Sequence, residues 1–256
     1  METKIDIEKA KKEFNKYVSK YNIEDSKIKL KINHIMRVAD NSKIIAKSLN
    51  LNEEEIKLAE LIGLLHDIGR FEQIKRYNTF KDSISINHGK FGADILFKEG
   101  LIRKFITFDK YDNIIEKSII NHNKTNIEEN LTEKELLFSK IVRDADKLDI
   151  LYILTIGDVK TVWETENMED EIISEEIYKE FLINKKINYS KIKSSADLLV
   201  CHFAYTYDIN FKKTCEIIRN EKYIEKMYQR FNFKDLNTKN KIDEIYKLSK
   251  KNLKFK

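Results

Sequence analysis

The chain has 256 residues, 41% of them hydrophobic and 36% charged, a composition that builds a sizeable core and excludes a wholly disordered polymer. Its 48 basic and 43 acidic residues leave a net charge of +5, too small and too dispersed an excess to imply nucleic-acid binding, though it tolerates an anionic small molecule. No apolar run approaches bilayer length and the start, METKIDIEKAKKEF, lacks the apolar segment of a signal peptide, so a cytoplasmic protein without membrane association is expected. Two cysteines, Cys201 and Cys215, are too few for a disulfide framework and lack the paired spacing of a zinc site.

Proline is absent and glycine occurs six times, which removes the usual punctuation of strand-rich folds and leaves long segments free to be helical. Helices are expected near 4–21, 26–49, 53–67, 84–98, 109–122, 133–151, 170–183, 194–207, 211–230 and 238–251. In chain order, the third opens on Asn52 as a cap with Glu53, Glu54 and Glu55 in its first turn. Its apolar stripe is Leu58, Leu61, Ile62 and Leu65. The sixth opens on a Thr132/Glu135 capping box and buries Leu136, Leu137, Ile141, Ala145 and Leu148. The acidic stretch 163–184 and the basic end LSKKNLKFK read as solvated faces or frayed ends.

Four of the five histidines fall between residues 34 and 122, in INHIMRVAD, LLHDIGR, INHGKFGADIL and IINHNK. His66 and Asp67 end an apolar helix, and Gly69 after them suits a left-handed C-terminal cap. Buried polar groups need partners. A metal ion would satisfy an imidazole and a carboxylate together, whereas the bland alternative is an Asp–His pair that merely ends a helix. His34 lies on an upstream helix with Lys31, Val38 and Asn41 roughly on its side and Arg37 one turn ahead. Asp144, Asp146 and Asp149 crowd one segment, with 146 and 149 sharing a face and 144 turned away; solvation of some of these acids is the alternative to compensation by cations.

Three phrases in order, HxxRVA (His34 to Ala39), LLHDIGR (Leu64 to Arg70) and RDADKLD (Arg143 to Asp149), resemble the H…HD…D signature of the HD superfamily of metal-dependent phosphohydrolases. The resemblance implies an all-α fold: an HD-domain helical bundle, core about 25–152, with additional C-terminal helices over about 153–256 packed on it, the whole 1–256 forming a single HD domain. It implies His34, His66, Asp67 and Asp146 as metal ligands, with Asp144 the competitor for the last place. His88 and His122 fall where binuclear members carry further ligands, and their alternative is a role as helix-boundary residues. His202 matches no motif and is expected to be packed.

The resemblance further implies a divalent transition metal (Mn, Fe, Co, Ni or Zn), one or two ions, activating a water against a phosphate ester of a nucleotide or other small phosphorylated compound. Asp67, Lys147 and Arg70 are the expected catalytic residues, and Arg70, Lys147 and Arg37 the substrate contacts, with Lys90 and Arg143 weaker candidates. A departure from the superfamily's 5′-deoxynucleotidases is Arg70, which stands where they carry a glutamate, and Glu72 is out of register. A di-iron HD-type oxygenase and a non-catalytic nucleotide-sensing HD module are the alternative functions.

Overall fold

The computed structural model describes residues 4–163 and 165–254, and among them there is no strand. The fold is all-α, a helical bundle with further helices. Contacts divide the chain into two compact units, Met1–Asp149 and Ile150–Lys256. No helix among the described residues is long and apolar enough to cross a membrane.

The first unit holds α1 (Ile7–Val18), α2 (Ser26–Ser48), α3 (Glu53–Leu65), α4 (Gly69–Tyr77), α5 (His88–Ala93), α6 (Ile102–Phe105), α7 (Asp112–His122) and α8 (Glu133–Ile156) as far as Asp149. Short polar side chains start most of these helices by accepting orphan backbone N–H groups: Asp6 from Lys9, Asp25 from Lys27, and Asn87 from Lys90. The expected Thr132/Glu135 capping box forms, and the expected Asn52 cap extends to a capping box with Glu55. Leu58, Leu61, Ile62 and Leu65 are buried, as are Ile141, Ala145 and Leu148, while Leu136 and Leu137 are half-buried near the helix start.

Two close approaches bring the histidine-bearing helices together. At Gly63 on α3 a Cβ would lie 2.8 Å from Ala39 Cα and 2.9 Å from the Val38 carbonyl oxygen, so the missing side chain lets α3 sit backbone-close to α2 at this point. At Gly69 a Cβ would lie 2.7 Å from both Gly92 N and the His88 carbonyl oxygen, which makes Gly69 the contact point of α4 and α5. The expected left-handed cap at Gly69 is therefore overturned. The residue before it is right-handed helical and Gly69 opens a new helix, needed for its missing side chain rather than for a positive φ. Reading Gly69 as a stop is also why α4 was not expected from sequence.

Other boundaries shift for local reasons. The helix expected at 84–98 starts at His88, after the Asn87 cap; a separate tight turn, Asp82–Ile84, precedes it, and its last turn widens so that Glu99 N–H reaches the Asp94 carbonyl. The helix expected at 133–151 continues to Ile156.

The second unit holds α9 (Val159–Trp163), α10 (Glu175–Asn184), α11 (Ser195–Ala204), α12 (Lys212–Asn220), α13 (Tyr223–Gln229) and α14 (Leu236–Lys254). The helix expected at 211–230 is two helices, parted where Lys222 turns left-handed with φ 55°. Its core includes Phe181, Leu199, Phe203, Ile224 and Ile245, and both cysteines are buried free thiols. His202 is buried too, its ring 5.6 Å from that of Trp163 and 5.2 Å from that of Tyr205.

Gly69→Ala is expected to force α4 and α5 apart and to cost about 1–3 kcal/mol, the usual penalty of overpacking a tight interior. Denaturant midpoints measure it. Gly92→Ala, whose nearest obstacle stands at 3.3 Å, should cost visibly less.

Candidate metal centre

Five elements of the first unit bring six donor residues to a common point. His34 sits midway along α2, and His66 and Asp67 follow the last turn of α3. His88 is the first residue of α5, His122 the last of α7, and Asp146 lies on α8. The four imidazoles are 0 to 5% exposed, Asp67 is 2% exposed, and the Asp146 side chain is 16% exposed.

Each imidazole is oriented the same way. Its Nδ1 meets an oxygen on the outer side: Asp149 Oδ2 at 2.6 Å for His34, the Gly63 carbonyl at 2.7 Å for His66, Asp82 Oδ2 at 2.6 Å for His88, and the Ile119 carbonyl at 2.6 Å for His122. An oxygen acceptor there requires the proton on Nδ1. The Nε2 lone pairs are thereby turned inward.

They converge on Asp67. Its Oδ2 lies 3.6 Å from Nε2 of both His34 and His66. Its Oδ1 lies 3.4 Å from His88 Nε2 and 3.6 Å from His122 Nε2. Asp146 Oδ1 stands 3.1 Å from His34 Nε2 and 3.7 Å from His66 Nε2. Three donor clusters result: His34 with His66 and Asp67, His66 with His122 and Asp146, and Asp67 with His88 and His122. Among the described residues Asp144 joins none of them, although it is fully buried.

These donors suit a cation. Ligand atoms about 2.0–2.2 Å from a shared ion stand about 3–3.6 Å from one another, close to the separations above. His34 Nε2, His66 Nε2 and Asp67 Oδ1 are buried without a hydrogen-bond partner, and the two Nε2 atoms of His88 and His122 face each other at 3.0 Å. Opposed lone pairs at that distance repel unless positive charge lies beside them.

The protonation states of Asp67, Asp146, His66 and His88 point the same way, and His34 is the exception. Burial favours the neutral acid in Asp67, but the Lys31 ammonium, His66 and Arg70 override it and hold the carboxyl well below its usual range. Asp146 is also held well below, burial being outweighed by the facing imidazoles of His34 and His66. Burial lowers His66, and burial with the Arg70 cation pushes His88 down to about 3. Burial and Lys31 pull His34 down, yet Asp146 and Asp149 leave it raised. Anionic carboxylates and neutral imidazoles are the forms that bind metal.

The expected cations divide into two groups. Arg70 reaches the centre, Nε 3.5 Å from Asp67 Oδ1, while its Nη1 donates to Asp82, Gln73 and the Phe80 carbonyl. Lys147 is buried one residue past Asp146. Arg37 instead grips Asp149 through Nε and Nη2, behind His34. Arg143 is buried at the carbonyl end of α7, donating to the carbonyls of Asn121, His122 and Lys124, where it opposes the helix dipole and fixes His122. Lys90 is exposed, and Glu72 accepts from Tyr21 and Arg76.

Three residues near the donors carried no role in the sequence reading. Lys31 Nζ lies 2.7 Å from Asp67 Oδ2, and its only sequence signal was its place three residues before His34 on one helix face. Asp149 is buried and holds both His34 and Arg37. Its register with Asp146 points to it, with solvation as the alternative. Asp82, which holds His88, sits in an irregular segment where no periodicity could flag it.

Comparison with protein families matches residues 32–151 to the HD domain. No curated protein and no solved structure gave a match.

Chelator-treated protein is expected to melt at a lower temperature than protein supplied with Mn, Co or Zn, because an ion that binds only the folded state stabilises it by about 2.7 kcal/mol at 100 times its Kd. Differential scanning fluorimetry reads the shift, and equal Tm values would count against the centre. Bound metal at fixed free concentration should fall on acidification from about pH 8 to about pH 5, as protons compete for the imidazoles. His34, whose pKa stands above the ordinary value, gives way first.

Proposed function

We propose that this chain, which carries the HD domain of a superfamily of metal-dependent hydrolases over residues 32–151, is a phosphohydrolase or phosphodiesterase acting on a nucleotide or another small phosphorylated compound. The observation that carries the reading is the common orientation of four buried imidazoles, each Nδ1 bound outward and each Nε2 turned toward Asp67.

A mixed imidazole and carboxylate set favours Mn, Fe, Co, Ni or Zn over Mg. His34, His66, Asp67 and Asp146 would hold one ion, and Asp67, His88 and His122 a second. Asp67 would be shared, one oxygen to each pair of imidazoles. Such ions supply Lewis acidity toward a phosphoryl group and bring the pKa of water down toward neutrality.

The chain's own residues then do the rest. Lys31 and Arg70 lie against Asp67 and against the ring of Phe80, 5.3 and 5.5 Å from its centroid. With Asp67 engaged as a ligand, Lys31 and Arg70 would be available to bind equatorial phosphate oxygens, and Lys147 would supply a third positive charge. In the net reaction a P–O ester bond breaks, water adds its oxygen to phosphorus, and the departing oxygen leaves with a proton. Arg37 acts through Asp149 and His34 rather than on substrate. The cluster of cations around the donors is what favours a phosphate ester over the dioxygen chemistry of a di-iron oxygenase.

Protein loaded with each metal in turn should release phosphate or pyrophosphate, or cleave a diester, from some member of a panel of nucleoside phosphates, dinucleotides and sugar phosphates. Inactivity with all five metals would sink the hydrolase reading, and an oxygen-dependent reaction with a mixed-valence electron paramagnetic resonance signal would replace it. Lys31→Ala and Arg70→Ala are each expected to lower kcat/KM about 10- to 150-fold, the worth of one charge-assisted hydrogen bond. Asp67→Ala should abolish turnover together with metal binding.

A further inference from the structure

We propose that Asp82, which is not itself a metal donor, is the positioning residue that makes the His88–His122 half of the centre able to hold its own ion, separately from the His34–His66 half. This rests on the two-ion form of the reading above.

The Asp82 carboxylate is a junction of five hydrogen bonds. Its Oδ2 accepts from His88 Nδ1 at 2.6 Å, from the His88 backbone N–H at 3.3 Å and from Asn123 Nδ2 at 3.2 Å. Its Oδ1 accepts from Arg70 Nη1 and Gln73 Nε2, each at 3.0 Å. One side chain thus ties α4, the start of α5 and the residue after His122. All of these lie on the Oδ1 side of Asp67.

The His34–His66 half uses none of them. There the outer acceptors are Asp149 and the Gly63 carbonyl. The two halves share Asp67, and His66 and His122 also approach each other beside Asp146, but their imidazoles are oriented by different elements, so their ion affinities are separable.

Asp82 does two things that a neutral residue cannot do together. It holds the proton on His88 Nδ1, which keeps Nε2 a free donor. It also anchors the Arg70 guanidinium, whose Nε already stands 3.5 Å from Asp67 Oδ1. An amide at position 82 has one acceptor oxygen for both sets of donors. With that oxygen toward Arg70, His88 Nδ1 faces an NH2 group, and the ring satisfies itself by moving its proton to Nε2, where His122 Nε2 at 3.0 Å accepts it. With the oxygen toward His88, Arg70 is repelled from position 82 and turns to Asp67 Oδ1, where it competes with the ion. Either orientation weakens the same half.

The test is metal content after dialysis against metal-buffered Co or Mn. Wild type is expected to retain two ions per chain and D82N one, with the second Kd at least tenfold weaker and the first unchanged. H88A should reproduce D82N, and the ion retained by D82N itself reports a folded first half. Two ions in D82N at wild-type affinity would overturn the role of Asp82 and leave the two-ion reading standing. One ion in wild type would overturn that reading and this inference with it. A folded D82N that keeps none would show the halves inseparable, which also overturns it. Should D82N fail to fold, long-range proton–nitrogen NMR of wild-type histidines decides: protonation of His88 on Nδ1, with Nε2 shifting at the second equivalent of Zn, is expected, and an Nε2-protonated His88 would refute the proposal.

Discussion

The bond from each Nδ1 to an outer oxygen is the constraint on which the centre depends. An imidazole is ambidentate, and a helical backbone fixes only its Cβ; what decides which nitrogen faces inward is the acceptor waiting on the other side. Two of the four acceptors are backbone carbonyls three residues back on the same helix, Gly63 for His66 and Ile119 for His122. They exist because both histidines stand at helix C-termini, where carbonyls lack an intrahelical partner. His34, in mid-helix, and His88, at a helix start, have no spare carbonyl behind them, and each has a carboxylate instead.

The same arrangement explains the position of the neighbouring cations. A buried carboxylate needs positive charge or several hydrogen bonds to remain ionised. Asp149 has Arg37 as well as His34, Asp82 has Arg70 as well as His88, and Asp67 has Lys31. Removing one member of such a pair strands the other. Arg143 performs a related task with carbonyls: it neutralises the C-terminus of α7 at the point where His122 must be held still.

Much of this centre was legible in the sequence because its primary donors sit on periodic helices. His34, His66 and Asp146 fall at fixed registers against apolar stripes, so their convergence could be expected from the pattern and from the likeness to the HD signature. What was not legible depends on contacts that periodicity does not encode. Gly69 looked like a helix stop because a glycine after an apolar helix usually is one, and only the nearness of Gly92 and the His88 carbonyl shows the other reason for having no side chain. Asp82 lies in a tight turn whose place beside His88 is a tertiary fact. Arg37 and Arg143 carry the charge expected of phosphate ligands, but charge alone does not say whether a guanidinium faces a substrate, a carboxylate or the end of a helix. Lys222 breaks a helix with a left-handed backbone that no glycine announces.

Charge balance links the centre to the chemistry of what it would bind. Three carboxylates at the donors are each paired with a cation, Asp67 with Lys31, Asp82 with Arg70 and Asp149 with Arg37, so much of the negative charge there is already balanced. Each divalent ion adds two positive charges with no further carboxylate to absorb them. The side chains that compensate Asp67 would then be surplus, and the site would carry a positive potential in a region where water screens poorly. A neutral ligand would do nothing to relieve it. A phosphate ester brings its negative charge to the place where the imbalance arises, and as charge develops on the phosphoryl oxygens Lys31 and Arg70 need only exchange one oxyanion for another. On the proposed function the ion and the substrate would be successive partners of the same cations, so the residues that compensate Asp67 would also be the ones suited to bind phosphate.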